Sequence, residues 1–426
     1  MTTTRPDTPP PESPGPATAV AGSTPVSERA LAPDLARGMM LLLIALAHVP
    51  WFIYDAPAGL GMLHPAEGNL ADKAAQVLSL VVVDARTHTM FGFLFAYGIG
   101  QMYARQKSRG AEEKDVRRIL RTRHLWMLVF GAVHALLLWQ GDIIGTYGLI
   151  GLVMMPLFFR RSDRTLKIWI AVLLAVGALF TALSVVAALM VPGGPPAVNA
   201  ADMQRLSIAE TGYLLSAAIR FPTWVFALGS GLASLALPTV FLIGVLAARH
   251  RFLEDPVRHL PLLRRVAVLG ISVGWIPGLV LGLQHVGVLD PVYAPAVASV
   301  HFYTGIFTGV GYAALFGLIA HRLSARRTRP SLPVEALVAL GRRSLSGYLA
   351  QSLVFAPFLA AWGLGLGVHL SSWTAVLVAL GTWLLTVVVA LVLDRSGRRG
   401  PAEILLRKLT YRKPARPRRN APEPAA

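Results

Sequence analysis

Arg37 and His48 stand eleven residues apart in RGMMLLLIALAH, an otherwise apolar stretch. On an α-helix that separation is three turns plus about 20°, with a rise of about 16 Å, so the two side chains share one face. A cation at one edge can hold an anionic carrier, while an imidazole near mid-membrane can take a proton or carry a group transiently. The same pair also reads more plainly, as an orientation-setting arginine and a histidine bonded between helices.

A second stretch, HLWMLVFGAVHALLLWQGDIIGTYG, repeats the arrangement with His134 ten residues in from His124. Asp142 follows, with Gln140 and Tyr147 close by. On a continuous helix His134 lies two turns from Asp142, too far for direct contact, and Asp142 also reads as an N-cap for the next helix. Asp84, Arg86 and His88 cluster ahead of TMFGFLFAYGIGQ, where Asp84 and His88 at i and i+4 can pair on one face. His301 and Tyr303 can reach the same cavity. In GRRSLSGYLAQS the polar groups are Arg342, Ser346, Tyr348 and Gln351, which can bridge helices or line a substrate cavity. No paired carboxylates and no HExxH pattern occur, so no catalytic metal and no prosthetic group is expected.

The elements that must hold these residues are membrane helices. Of 426 residues, 54% are hydrophobic and 15% charged, with mean hydropathy +0.56, which excludes an ordinary soluble domain. The absence of cysteine excludes disulfides, thiol catalysis and thiolate-bound metal. Ten spans are expected, near 38–55, 87–104, 124–140, 143–159, 166–192, 223–248, 266–286, 298–320, 344–362 and 372–393. Residues 74–89 are ambiguous, because Asp84, Arg86 and His88 adjoin an apolar run.

Residues 1–33, with eight of the thirty prolines, read as a disordered tail without the charged-then-apolar order of a signal peptide. The transmembrane bundle covers 34–394, residues 395–413 form a basic interfacial segment, and 414–426 a second tail. Within the third of these, PAEILLRKLTYRK suits a short helix on the inner leaflet, with Leu405, Leu406 and Leu409 turned to lipid. Residues 203–220 suit a similar surface position on the other side.

Charge orients the bundle. If both termini are cytoplasmic, 36 of the 40 Lys and Arg lie inside and only Lys73, Arg86, Arg205 and Arg220 outside. That partition accounts for the net charge of +18 through topology and attraction to anionic lipid, with no nucleic-acid partner required. The fold expected is an all-α integral membrane protein, a polytopic bundle of about ten transmembrane helices.

The segments LARGMMLLLIALAHVP, MFGFLFAYGIG, VHALLLWQGDIIGTYGLIGL, ALGRRSLSGYLAQS and RRGPAEILLRKLTYRK, in that order, resemble the YeiB-like bacterial membrane proteins, whose shared region is domain of unknown function 418. The resemblance runs from about Leu35 to Lys413. The YeiB-like proteins are in turn similar to transmembrane acyltransferases, including the lysosomal enzyme that acetylates heparan glucosamine and bacterial O-acyltransferases of surface polysaccharides. The R-x10-H pattern of the latter is matched by Arg37 and His48, although many YeiB-like proteins carry asparagine where His48 stands.

The resemblance implies a bacterial cytoplasmic-membrane protein that moves an acyl group from cytosolic acyl-CoA to a hydroxyl or amine of a lipid or glycan acceptor. His48, His134 and Asp142 would then be catalytic, and Arg37 and Arg342 would meet the coenzyme A phosphates. Asp84, Arg86, His88, Tyr348 and Gln351 would line the substrate cavity. Ten spans with scattered intramembrane charge also suit a transporter of a small or lipid-like molecule. The topology has a direct check: reporters fused after Arg109, Arg161, Arg258, Arg326 and Arg412 should all report cytoplasmic. An external signal from the 249–265 loop would break the ten-span scheme.

Overall fold

A computed structural model describes residues 31–60, 63–191, 200–325 and 330–411, whose regular structure is helical. The helices are α1 Leu31–His48, α2 Leu70–Val82, α3 Thr87–Ser108, α4 Glu113–Leu137, α5 Ile144–Phe158, α6 Asp163–Met190, α7 Ala200–Ala209 and α8 Tyr213–Ala233. They continue with α9 Ala236–Arg249, α10 Leu260–His285, α11 Ala294–Ala325, α12 Leu332–Arg342, α13 Ser344–Leu359, α14 Ser372–Arg395 and α15 Pro401–Thr410. The N-terminal tail expected over 1–33 lies outside the described residues up to residue 30, and α1 already begins at Leu31. The tail expected over 414–426 lies outside them altogether.

Among the described residues six helical stretches are long and apolar enough to cross a membrane: Leu31–Phe52, Leu70–Ser108, Asp163–Met190, Pro256–His285, Pro291–Ala325 and Ser372–Arg395. Counting α8 and α9 as one span makes seven, although the pair is bent by 58° at Ser234 and Leu235. The remaining expected spans differ for identifiable reasons. The first half of α4 carries Lys114, Arg117, Arg118, Arg121 and Arg123, so only its second half is apolar. The helices α5 and α13 are apolar but short, at 15 and 16 residues. Within 205–220 one face is buried, with Arg205, Ser207, Ser216 and Arg220, while Leu206, Leu214 and Leu215 are exposed.

Burial sorts the helices by role. Most of α1 is buried, and it packs against α3, α11, α12, α13 and α14, which makes it the central strut of the bundle. By contrast α6 is apolar all round yet exposed, with Leu179, Phe180 and Leu183 facing out, as a helix in contact with lipid must be. The expected lipid contact of the C-terminal helix is corrected in part. Leu406 is buried against the bundle, where α15 packs on α4, and Ile404 and Leu405 are the exposed apolar residues.

Small residues set the closest approach. Ala96 and Gly100 on α3 face Gly244 and Ala248 on α9, a small-xxx-small pattern on both helices. A Cβ at Gly244 would sit 2.5 Å from the Phe93 carbonyl oxygen and 2.8 Å from the Ala96 Cβ. Between α2 and α3 the chain breaks at Ala85, whose φ of 61° is the left-handed conformation that an alanine adopts only when its surroundings impose it. Gly244→Ala should therefore force α9 away from α3 and cost about 1–3 kcal/mol, as overpacking does. Thermal unfolding in detergent should show the drop, with Gly381→Ala on α14, where no atom lies within 4 Å, leaving the midpoint unchanged or raised.

Candidate functional site

Both ends of α1 open into cavities. At its start Asp34 and Arg37 line a cavity of about 370 Å³, walled also by the end of α3, the middle of α4, the α12–α13 junction and α15. Arg105, Arg109, Arg123, Arg342, Arg343, Arg399 and Arg407 face it against Asp34, Asp394 and Glu403, so its wall is strongly cationic. Its deep end is apolar and aromatic, with Phe91, Phe95, Met127, Ile144 and Tyr348.

Ion pairs and caps hold this wall. Arg37 donates to Asp34 at 3.1 Å, and Arg342 lies 3.7 Å from Asp34 and 3.5 Å from Asp394. Arg343 reaches Asp394 at 2.8 Å. Glu403 of α15 accepts from the backbone N–H of Leu345 at 2.8 Å and of Ser346 at 3.1 Å, placing its charge on the N-terminus of α13. Arg123 differs from its neighbours: among the described residues it makes no hydrogen bond and no ion pair, yet it faces the cavity. From the sequence it counted only as one more inside charge, because it directly precedes an expected span.

At the far end of α1, Ile44, Ala47 and His48 line a second cavity of about 290 Å³ with Trp51, Leu80, Asp84, His88, Trp139, Ile143, Leu281, His301 and Phe302. Helix directions agree on the opposition of the two cavities. The helix α3 runs from His88 beside the second cavity to Arg105 at the first, and α4 runs from Arg123 at the first towards Trp139 at the second.

The cavities meet at Tyr348. Its ring lines the first cavity and stands edge-on to His48, centroid to centroid 5.9 Å, while His48 lines the second. Ile144 faces the first cavity and Ile143 the second. Thus one layer of side chains separates them. The Tyr348 hydroxyl accepts from the Ile143 N–H at 3.2 Å and donates to the Gly141 carbonyl at 3.3 Å, fixing the ring on the loop that closes α4.

Behind Tyr348, and lining neither cavity, is a buried His–Asp pair. His134 Nδ1 lies 3.1 Å from Asp142 Oδ1, which corrects the expectation that the two are too far apart. That expectation assumed a continuous helix, whereas α4 stops at Leu137 and residues 138–143 fold back on it. The other oxygen, Asp142 Oδ2, accepts from the Gly145 N–H at 2.6 Å and from the Trp224 indole at 3.3 Å. Asp142 therefore also serves the first turn of α5. The contact is one of proximity: neither ring nitrogen of His134 and not Asp142 Oδ1 makes a hydrogen bond among the described residues.

The Asp84–His88 pair expected on one helix face does not form, because the left-handed Ala85 separates Asp84 from α3. Asp84 instead pairs with His64 at 2.7 Å. Arg86 is fully buried, donating to the Leu80 carbonyl at 2.9 Å and meeting the His301 ring at 3.1 Å. Gln351 donates to the Leu41 carbonyl at 2.9 Å, tying α13 to α1. Of the residues expected to line a cavity, Asp84, His88 and Tyr348 do so, whereas Arg86 and Gln351 bridge elements. His64 carried no signal in the sequence, since it sits in an irregular loop.

Residues 247–413 match the family described as "Protein of unknown function (DUF418)". The chain is 27% identical over 409 residues to the uncharacterized protein YxaH of Bacillus subtilis, covering 91% of this chain and 96% of that one. It is 25% identical over 416 residues to the uncharacterized protein YeiB of Escherichia coli, covering 90% and 97%.

The hold of Asp142 has a stability consequence. Asp142→Ala leaves the buried donors of Gly145 and Trp224 unpaired, at about 1–3 kcal/mol for each group so stranded, and removes the carboxylate beside His134. Asp142→Asn keeps an acceptor oxygen, so its unfolding midpoint should fall between those of wild type and Asp142→Ala. Equal midpoints for all three proteins would show that the carboxylate holds nothing together.

Proposed function

With residues 247–413 placed in the DUF418 family, we propose that this chain is a membrane acyltransferase. It takes an acyl group from cytosolic acyl-CoA and delivers it to a hydroxyl or amine acceptor in or across the bacterial cytoplasmic membrane. One observation carries the reading: a cationic cavity and a largely apolar one approach from opposite ends of the bundle and are parted only by the layer of Tyr348 and His48.

Arg37, Arg123 and Arg342 meet the phosphates of the donor, with the cationic end on the cytoplasmic side as the distribution of basic residues requires. The thioester reaches inward between Phe95, Met127 and Tyr348. From the second cavity, His48 takes the proton of the acceptor group as its oxygen or nitrogen attacks the thioester carbonyl. The C–S bond breaks, and the thiolate of coenzyme A leaves with a proton returned through the imidazolium. His134 and Asp142 act through Tyr348, as positioning residues that hold the loop and the ring at the junction. The full ten-span scheme belongs to this reading, with α4, α5, α13 and the α8–α9 pair completing the crossings.

A second reading has support from the same septum and from the break between α8 and α9. Two cavities parted by one aromatic layer, beside a bent helix pair, also suit export of a lipid-like molecule.

Release of coenzyme A from acetyl-CoA by the purified protein in detergent separates the two. His48→Ala should lower turnover about 10²–10⁴-fold in protein that remains monodisperse and inserted. Arg123→Ala should raise KM and leave kcat nearly unchanged, as loss of a uniform binding contact does. Undiminished turnover per folded molecule in His48→Ala would remove that imidazole from the chemistry, and vesicle uptake with no acyl donor present would favour export.

A further inference from the structure

The second cavity is lined mostly by hydrocarbon, with Ile44, Leu60, Leu80, Leu281, Ala298 and Phe302 in its wall. His48, Thr87, Asp84, His88 and His301 interrupt it with polar atoms, and three of these are already engaged. Asp84 is held by His64, His301 by Arg86 and Thr87 by the Val83 carbonyl, which leaves His48 and His88, with no side-chain hydrogen bond among the described residues, to face an occupant. The cavity borders the outer surface of the bundle. Phe302 lies within the apolar stretch Pro291–Ala325 and is 41% exposed, as is Leu60 across from it.

A sugar cannot satisfy this wall. Its many hydroxyls would be stripped of water against leucine and phenylalanine without partners. A single polar head on an aliphatic chain matches the few free polar groups and the hydrocarbon at once. We infer that the acceptor is a single-headed amphiphile, an aliphatic alcohol or amine, which enters sideways from the membrane past Phe302 and Leu60 and presents its head to His48. The inference rests on the acyl-transfer reading for what happens to the head, but binding itself does not depend on it. Each buried methylene is worth roughly a fourfold gain in affinity, so the chain supplies the hold and His48 the orientation.

The probe is a ten-carbon primary alcohol carrying a mid-chain diazirine, photolysed with the full-length protein in lipid nanodiscs, with labelled peptides located by mass spectrometry. Label should concentrate on the segments bearing Leu281 and Ala298–Phe302. It should fall at least tenfold there in Ala298→Trp, which fills the cavity, while label on the lipid-facing Leu384 and Leu385 of α14 stays constant as the internal reference. On wild-type protein, which needs no variant to fold, unlabelled decanol should compete and glucose should not. Equal labelling of the cavity and of α14, or competition by glucose, overturns the inference. Competition by palmitoyl-CoA but not by acetyl-CoA overturns it too, since the cavity would then hold the donor's chain. If the cavity labels as expected but acetyl-CoA is never turned over, the amphiphile site stands and the transfer reading falls.

Discussion

Asp142 is the interaction on which the centre of the molecule turns. A carboxylate buried at membrane depth is stable only if polar partners surround it, and here they come from three helices: Gly145 on α5 and Trp224 on α8 donate to it, and His134 on α4 lies 3.1 Å away. To collect them, α4 must end at Leu137 and the chain must double back. The resulting loop carries Gly141 and Ile143, whose backbone groups grip the Tyr348 hydroxyl. The position of Tyr348 is therefore inherited from Asp142, and with it the separation of the two cavities. His48 completes the layer from α1, its ring 4.5 Å from Trp139 of the same loop.

The same rule accounts for the basic residues on the far side of the charge partition. Arg86 bonds the Leu80 carbonyl in the last turns of α2, and Arg220 bonds the Leu136 carbonyl at the end of α4 at 2.9 Å. Both complement the negative ends of helices. Arg220 is further held between the rings of Tyr213 and Trp362, at 5.1 Å and 5.2 Å. Arg205 bonds the carbonyls of Ala56 at 2.9 Å and Leu63 at 2.6 Å, pinning the loop that roofs the second cavity. Three of the four exceptions are thus backbone-binding arginines. Lys73, the fourth, is exposed on α2.

What the sequence disclosed and what it withheld divide along one line. Hydropathy and charge located helical segments, because lipid imposes a length and a composition that can be read locally. Spacing along one unbroken helix placed Arg37 and His48 at opposite ends of α1, but they open onto different cavities where one shared site was expected. Inference failed wherever a helix broke. Asp84 and His88 lost their shared face at Ala85, and His134 gained Asp142 because α4 stops early. Neither break is marked by proline, and each is imposed by packing. The role of Arg123 was hidden in another way, since nothing in the sequence distinguishes an arginine facing a cavity from one facing headgroups.

The cationic end can answer to two demands at once. If orientation in the membrane selects for arginine and lysine on one side, it does so without regard to where they point. The fold then turns part of that excess inward: α15 packs on α4, its Glu403 seated on α13, and the arginines between them come to face a cavity in place of open water. Their fields add in a wall of low polarisability, where an anion is held more strongly than at a headgroup surface. Asp34 and Asp394 keep several of these cations fixed in place, which lowers the entropy lost when a polyanion arrives. A charge asymmetry needed for insertion can in this way become a binding site, with no arginine beyond those the topology already calls for.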